Sequence, residues 1–182
     1  GIYFGATLII TLSILPEKGN FFTALRYSSF QVASIVSTTG YATANFDLWP
    51  EYCRALIVLI MFVGACAGST GGGIKVSRIV ILLKSLRKEI HEMAAPRHVR
   101  SIRLDGKRLE GSTLRAVHSF FISYMFILIG VSFIVSMDGY SFATSFSATL
   151  SCLSNIGPGL GAEGPAGNFA FWNPGAKVLL SF

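Results

Sequence analysis

The sequence is short of charge. Only 13% of its 182 residues are Asp, Glu, Lys or Arg, against ~25% in ordinary soluble domains. Hydrophobic residues make up 52% and the mean hydropathy is positive, so the composition argues against a water-soluble domain and for a bilayer protein. Cysteine is scarce too. Cys53, Cys66 and Cys152 are odd in number, scattered and set in apolar sequence, which excludes a disulfide framework or a zinc spacing and leaves small packing residues. The three histidines, His91, His98 and His118, form no recognised ligand set and read as solvated or capping residues. A glycine-rich run at residues 64–73 lacks the Gly-Lys-Ser/Thr order of a phosphate loop, because Ile74 separates Gly73 from Lys75 and Val76 follows.

The charge that is present is unevenly placed. Eleven of the fifteen Lys and Arg residues fall between Lys75 and Arg115. A basic connection between apolar segments is the positive-inside signature, which makes this stretch cytoplasmic and puts the loops near 16–20, 44–54 and 161–174 on the opposite side. A nucleic-acid patch would interleave aromatic residues with the cations; none do here, so no nucleic-acid partner is expected.

Along the chain, apolar Gly1–Leu15 ends at Pro16-Glu17-Lys18-Gly19 and reads as the end of a truncated spanning helix. Asn20 to Val36, with Asn20 as N-cap, carries too many polar residues for a lipid-exposed span of about 20 apolar residues. It reads as a half-length helix buried among others, running into Ser37-Thr38-Thr39-Gly40-Tyr41-Ala42-Thr43. An apolar stretch from Tyr52 to about Leu86 is interrupted by five glycines in Gly64–Gly73, and each costs up to about 1 kcal/mol in a helix interior. A helix broken within the membrane follows, tolerated where the backbone lines a cavity or is covered by protein. Residues 87–115 are polar, about Ala116 to Met137 form another span, and Ser141–Leu153 is a second short helix leading into Ser154-Asn155-Ile156-Gly157-Pro158-Gly159.

An offset of 117 residues superposes Gly40 on Gly157, Ser28 on Ser145, Ser34 on Ser151 and Ser37 on Ser154. Each unit then passes through a polar loop to Trp49-Pro50 or Trp172-Asn173-Pro174. Such repeats suggest symmetric walls around one axis. The units divide as 1–90, a basic connection 91–115, and a second unit 116–182. The Val178–Phe182 ending and the start at Gly1 predict an internal piece of a longer polypeptide. A half helix entering from the outer side points the negative end of its dipole at the membrane centre. The glycine after it lets backbone carbonyls turn inward, as in potassium filters. Neither loop holds an acidic residue, which suits a large monovalent ion better than Ca²⁺ or Mg²⁺. An enzyme using Ser37 or Ser154 with His118 is disfavoured because His118 begins its helix at the opposite face. A solute carrier with one broken helix does not need two glycine loops. An assembly subunit without flux is the remaining class.

On Phe30–Ser34, Ser37–Thr43, Asp47-Leu48-Trp49-Pro50 and Gly64–Lys75, the chain resembles the Trk/Ktr/HKT superfamily of potassium transporters, and within it the bacterial Trk membrane subunit, over essentially its whole length. The resemblance implies an all-α integral membrane protein of potassium-channel-like helix–pore loop–helix units, four around one pore, with the third and a partial fourth present here. It implies a selectivity filter at Thr38, Thr39, Gly40 and Tyr41 with Asn155, Ile156, Gly157 and Pro158, holding potassium at Thr38, Thr39, Asn155 and Ile156. It implies a gate at Gly64, Gly68, Ser69, Thr70, Gly71, Gly72, Gly73 and Lys75. No catalytic residue and no covalent cofactor are implied; K⁺ is the cargo, with Na⁺ or Rb⁺ as alternatives. Expected surroundings are the lipid of the bacterial inner membrane. Expected partners are a second copy in a homodimer and a cytosolic ring of nucleotide-binding (TrkA-like) subunits on the basic face, roughly Arg78–Arg115. The second loop departs from Thr-x-Gly-Tyr, which leaves open a sodium/potassium symporter or a less selective cation channel.

Overall fold

The computed structural model describes residues 2–64, 71–94, 103–104 and 107–181. Helix α1 (Ile2–Lys18) runs through Pro16 and ends within Pro16–Gly19 as expected. Proline this close to a C-terminus forfeits one backbone bond to the preceding turn, and the end is closed three residues later by Gly19, at φ 65, whose N–H bonds the Leu15 carbonyl at 2.9 Å. Helix α2 (Phe21–Val36) starts as its sequence predicts: the Asn20 side-chain oxygen accepts from the Phe22 N–H at 3.0 Å. Its Ala24, Ser28, Gln31 and Ile35 recur at helical spacing and are buried, with the Thr11 and Ser28 hydroxyls joined at 2.5 Å between α1 and α2.

A 3-10 turn at Phe46–Leu48 leads to α3 (Glu51–Phe62), and α4 (Val76–Ala94) follows the glycine interruption. The expected break is therefore present. In the basic connection, strands β1 (Arg103–Leu104) and β2 (Lys107–Arg108) form a minimal antiparallel pair, with Arg103 opposite Arg108. This is a small addition to the helices among the described residues. Helix α5 (Gly111–Ser136) begins five residues earlier than Ala116, so Arg115 sits in its first turns. Its 26 residues reach about 39 Å, and among the described residues it is the one helix long and apolar enough to cross a bilayer.

Helix α6 (Phe142–Ser154) is capped by Ser141, whose hydroxyl accepts from the Thr144 N–H at 3.3 Å. Two 3-10 turns, Gly161–Glu163 and Phe169–Phe171, precede α7 (Pro174–Leu180), which has proline at its first position. The 16 residues of α2 and 13 of α6 span about 24 and 20 Å, short of a ~30 Å hydrocarbon core. Helix α6 is enclosed although polar: Thr144, Ser145, Ser147, Thr149, Ser151 and Ser154 are all buried. Several hydroxyls are absorbed by its own backbone, as with Thr149 on the Ser145 carbonyl at 2.8 Å.

One apolar cluster joins α1, α2, α3 and the inner face of α5 through Ile10, Ile14, Val32, Ile57 and Leu128. A second gathers Val135, Ala148, Trp172, Ala176 and Leu180. Replacing Asn20 with Ala removes the cap of α2 and is expected to cost about 1 kcal/mol, whereas Asn20→Gly costs only a few tenths. Thermal unfolding of the detergent-solubilised protein checks the difference.

Candidate functional site

Both half-length helices end in the same way. After α2, the Thr38 N–H bonds the Ile35 carbonyl at 3.1 Å and the Thr39 N–H bonds the Ser34 carbonyl at 2.9 Å. After α6, Asn155 bonds Cys152 at 3.1 Å and Ile156 bonds Ser151 at 2.9 Å. These are the paired bonds of a Schellman turn, which needs a left-handed residue at its centre. Thr38 (φ 57) and Asn155 (φ 59) occupy that position, and Gly40 (φ 78) and Gly157 (φ 110) follow two residues later. Asparagine tolerates the left-handed region; a β-branched threonine there is an outlier and costs about 1–2 kcal/mol. The sequence points to the glycines but not to left-handed Thr38, since threonine is not a normal signal for it.

Serines brace the loops from behind. The Ser34 hydroxyl donates to the Tyr41 carbonyl at 2.6 Å, and its repeat partner Ser151 accepts from the Gly157 N–H at 3.0 Å. The Leu160 N–H bonds the Ser147 hydroxyl at 2.9 Å. The buried Gln31 amide, with its oxygen turned to the loop, accepts from Thr43 and Ala44 N–H groups at 2.7 and 3.0 Å. The Tyr41 carbonyl is thus already used in bracing, while the Tyr41 ring, Thr39, Asn155 and Gly157 are exposed and Ile156 is buried. The repeated serine positions were visible in the sequence; their bracing role was not.

The loops meet. A methyl carbon placed on Gly40 would overlap the Ile156 carbonyl oxygen, and one on Gly157 would lie 3.8 Å from the Gly40 Cα. A cavity of about 420 Å³ is lined by Gly40, Tyr41 and Ala42 from the first loop and by Gly157, Pro158 and Glu163 from the second. Two carboxyl groups stand just beyond the loops. Asp47 of the first unit accepts from the Gly161 N–H at 3.0 and 3.1 Å and lies 3.9 Å from the Arg54 Nε. Glu163 is buried and accepts from the Trp172 indole N–H. Burial pushes its carboxyl up to about 8.

The structure extends the repeat at Trp49 and Trp172 back to an asparagine-capped turn. Asn45 and Asn168 each cap a 3-10 turn, accepting from Asp47 N–H at 3.1 Å and Ala170 N–H at 2.9 Å, and buried Trp49 and Trp172 follow. The pattern Asn-Phe-x-x-Trp is offset by 123 residues here, against 117 at the glycines. The second unit therefore holds six extra residues between its glycine loop and this turn.

Of the expected gate residues, Gly68, Ser69 and Thr70 lie outside the described residues. The two flanks of that segment come together: a methyl carbon on Gly64 would be 2.8 Å from the Gly72 carbonyl oxygen. One on Gly72 would overlap the Ser154 carbonyl, and one on Gly73 would be 3.2 Å from the Ser154 hydroxyl. Ser154 is in turn held by Tyr124 of α5, hydroxyl to hydroxyl at 2.9 Å. Gly71 and Lys75 are also described; Lys75 accepts with its carbonyl from the Arg78 and Ile79 N–H groups at the start of α4, at 2.9 and 3.3 Å.

Gly40→Ala is expected to destabilise the protein by about 1–3 kcal/mol, because neither backbone loop can yield without displacing the other. Gly130→Ala, on the open face of α5, should be neutral or stabilising by up to about 1 kcal/mol; paired thermal melts decide. Glu163 predicts a pH effect of definite sign. Its folded value is raised from 4.5 to about 8, so the folded state binds more protons and stability falls as pH rises through that window. Glu163→Gln should remove that component from the melting temperature measured across pH.

A family model described as TrkH, a cation transport protein, matches residues 17–182. The Trk system potassium uptake protein TrkH of Salmonella typhimurium is 38% identical over 178 residues, 96% of this chain and 36% of the relative. The Escherichia coli TrkH is 34% identical over 182 residues, 99% of this chain and 37% of its own length. The crystal structure of the potassium transporter TrkH from Vibrio parahaemolyticus superposes with a TM-score of 0.88 at 33% identity, covering 99% of this chain and 38% of that one. The chain thus spans little more than a third of the length of these relatives, and its paired half helices, glycine loops and broken helix are those of a membrane transporter fold: it belongs to the TrkH family of cation transport proteins.

Proposed function

We propose that this chain supplies two of the four pore-loop walls of a potassium-translocating membrane subunit in a Trk-type uptake system. The observation that carries this reading is the shared cavity of the two loops. Each loop leaves a buried half helix through the same left-handed turn, and the two glycines approach across it. The relatives' names, Trk system potassium uptake proteins, support potassium as the cargo.

In this reading the backbone oxygens of Thr38, Thr39 and Gly40, with those of Asn155, Ile156, Gly157 and Pro158, replace the water shell of K⁺. Tyr41 contributes mainly by anchoring its carbonyl on Ser34. The helix C-termini of α2 and α6 add partial negative charge, and no covalent step or covalent cofactor is required. Residues 1–90 and 116–182 act as the third and a partial fourth unit, joined by the basic connection 91–115. That connection faces the cytoplasm in a bacterial inner membrane and offers its cations to a nucleotide-binding regulatory ring, with a second copy completing a homodimer.

The glycine segment from Gly64 to Gly73, with Lys75, serves as the gate beneath the loops. Support comes from Gly72 and Gly73 lying against Ser154, the residue on which α6 ends. The departure of Asn155-Ile156-Gly157-Pro158 from Thr-x-Gly-Tyr favours one second reading, a less selective cation channel or a sodium/potassium symporter.

Rubidium uptake into proteoliposomes containing the complete transporter tests the main reading: K⁺ should compete and Na⁺ should not. Equal competition by Na⁺ selects the less selective alternative, and absence of flux sinks both. Gly72→Ala must push the segment off Ser154, so basal flux should rise several-fold; unchanged flux with only poorer folding would remove the gate assignment.

A further inference from the structure

The six extra residues of the second unit carry a buried acid with no partner in the first unit. Glu163 is 1% exposed. One carboxyl oxygen accepts from the Trp172 indole; the other has no hydrogen-bond partner among the described residues. That second oxygen is aimed at the chain leaving the glycine loop: a methyl carbon on Gly159 would stand 3.1 Å from it and 3.2 Å from the Ser147 hydroxyl. The backbone closes the same ring, since the Gly159 N–H bonds the Glu163 carbonyl at 2.7 Å. Leu160 is tied to Ser147 and Gly161 to Asp47. Three consecutive residues are thus fixed from three directions, and Glu163 is the one fixture inside the ring.

Trp172 is itself immobilised. It is buried, with the Tyr140 ring 4.7 Å away and the Phe171 ring 5.0 Å away. An acceptor held by such a ring is stiffer than any surface contact, and a stiff support is what carbonyl groups aimed at an ion need.

We propose that Glu163 is a positioning residue for cation selectivity, a strut that wedges Gly159–Gly161 against Trp172 and so holds the second glycine loop at its coordinating geometry. This rests on the pore reading above. The strut works as the neutral acid: burial of an oxygen without a hydrogen-bond partner disfavours the charged form, in line with a carboxyl pushed up to about 8. Glutamine keeps the acceptor for Trp172 and the shape of the wedge; alanine loses both, and phenylalanine at 172 keeps the ring but not the donor.

The test uses the complete transporter in proteoliposomes, reading the ratio of K⁺ to Na⁺ competition against rubidium uptake, with amide hydrogen exchange at Gly159 and Gly161 on the same samples. Glu163→Ala and Trp172→Phe should each lower the ratio about tenfold, the scale of one lost buried hydrogen bond, and speed exchange at both glycines. Glu163→Gln should hold the ratio within about twofold and leave exchange slow. Should Glu163→Ala fail to fold, Trp172→Phe carries the comparison. Two results overturn the strut: an unchanged ratio and unchanged exchange in Trp172→Phe, or a Glu163→Gln as damaged as alanine, which would make negative charge the operative property. If the unaltered protein shows no selective flux, the pore reading fails and the selectivity role with it, and exchange at Gly159 and Gly161 then separately decides whether the wedge itself exists.

Discussion

A helix that stops inside a protein leaves its last carbonyl groups without partners, and the whole site follows from how two such ends are resolved. In both units the terminal carbonyls of the half helix are taken up by the next two N–H groups, which forces one residue into left-handed geometry. The chain then doubles back on the helix that delivered it, where Ser34 and Ser147 hold it. Nothing bulky fits at the next reversal, where Gly40 meets the Ile156 carbonyl. Strain at Thr38 is tolerated because the surrounding bonds over-determine it, a common arrangement where backbone must be held ready for a task.

The polar character of α2 and α6 acquires its meaning from this geometry. Serine and threonine inside a buried helix cost stability unless their hydroxyls find acceptors. Here they serve two purposes: some return to their own helix backbone, and Ser34, Ser147 and Ser151 reach out to the loop that doubles back. The second unit needs more support than the first because its loop is longer. Asp47 from the neighbouring unit holds it at Gly161 and the Glu163 carbonyl holds it at Gly159, so the second loop is not independent of the first unit. The glycine segment on Ser154, and Tyr124 behind Ser154, extend the same packing toward the opposite side of α6.

Much of this was legible beforehand. Low charge and long apolar stretches indicated a membrane protein. The 117-residue offset exposed the two units, Asn20 announced the start of α2, and five glycines in ten residues announced the break between α3 and α4. The end of α1 within Pro16–Gly19 is legible, whereas the first turn of α5 is not, because Gly111-Ser112-Thr113 are weak helix formers. The tryptophans of the Asn-Phe-x-x-Trp turn are legible as a pair, but its capping asparagines are not, because their offset differs by six residues from that of the glycines.

The amino-acid sequence by itself determined the membrane setting, the repeated half-helix design and the glycines on which both loops turn, because composition and spacing act through local backbone preference. Only the tertiary structure decided that the loops face one another, that Thr38 is left-handed, and that Glu163, far from any pattern, is a buried neighbour of Gly159. Those outcomes depend on which surfaces meet across 117 residues of chain, and a residue's role as a brace is set by the partner it finds there rather than by its own type.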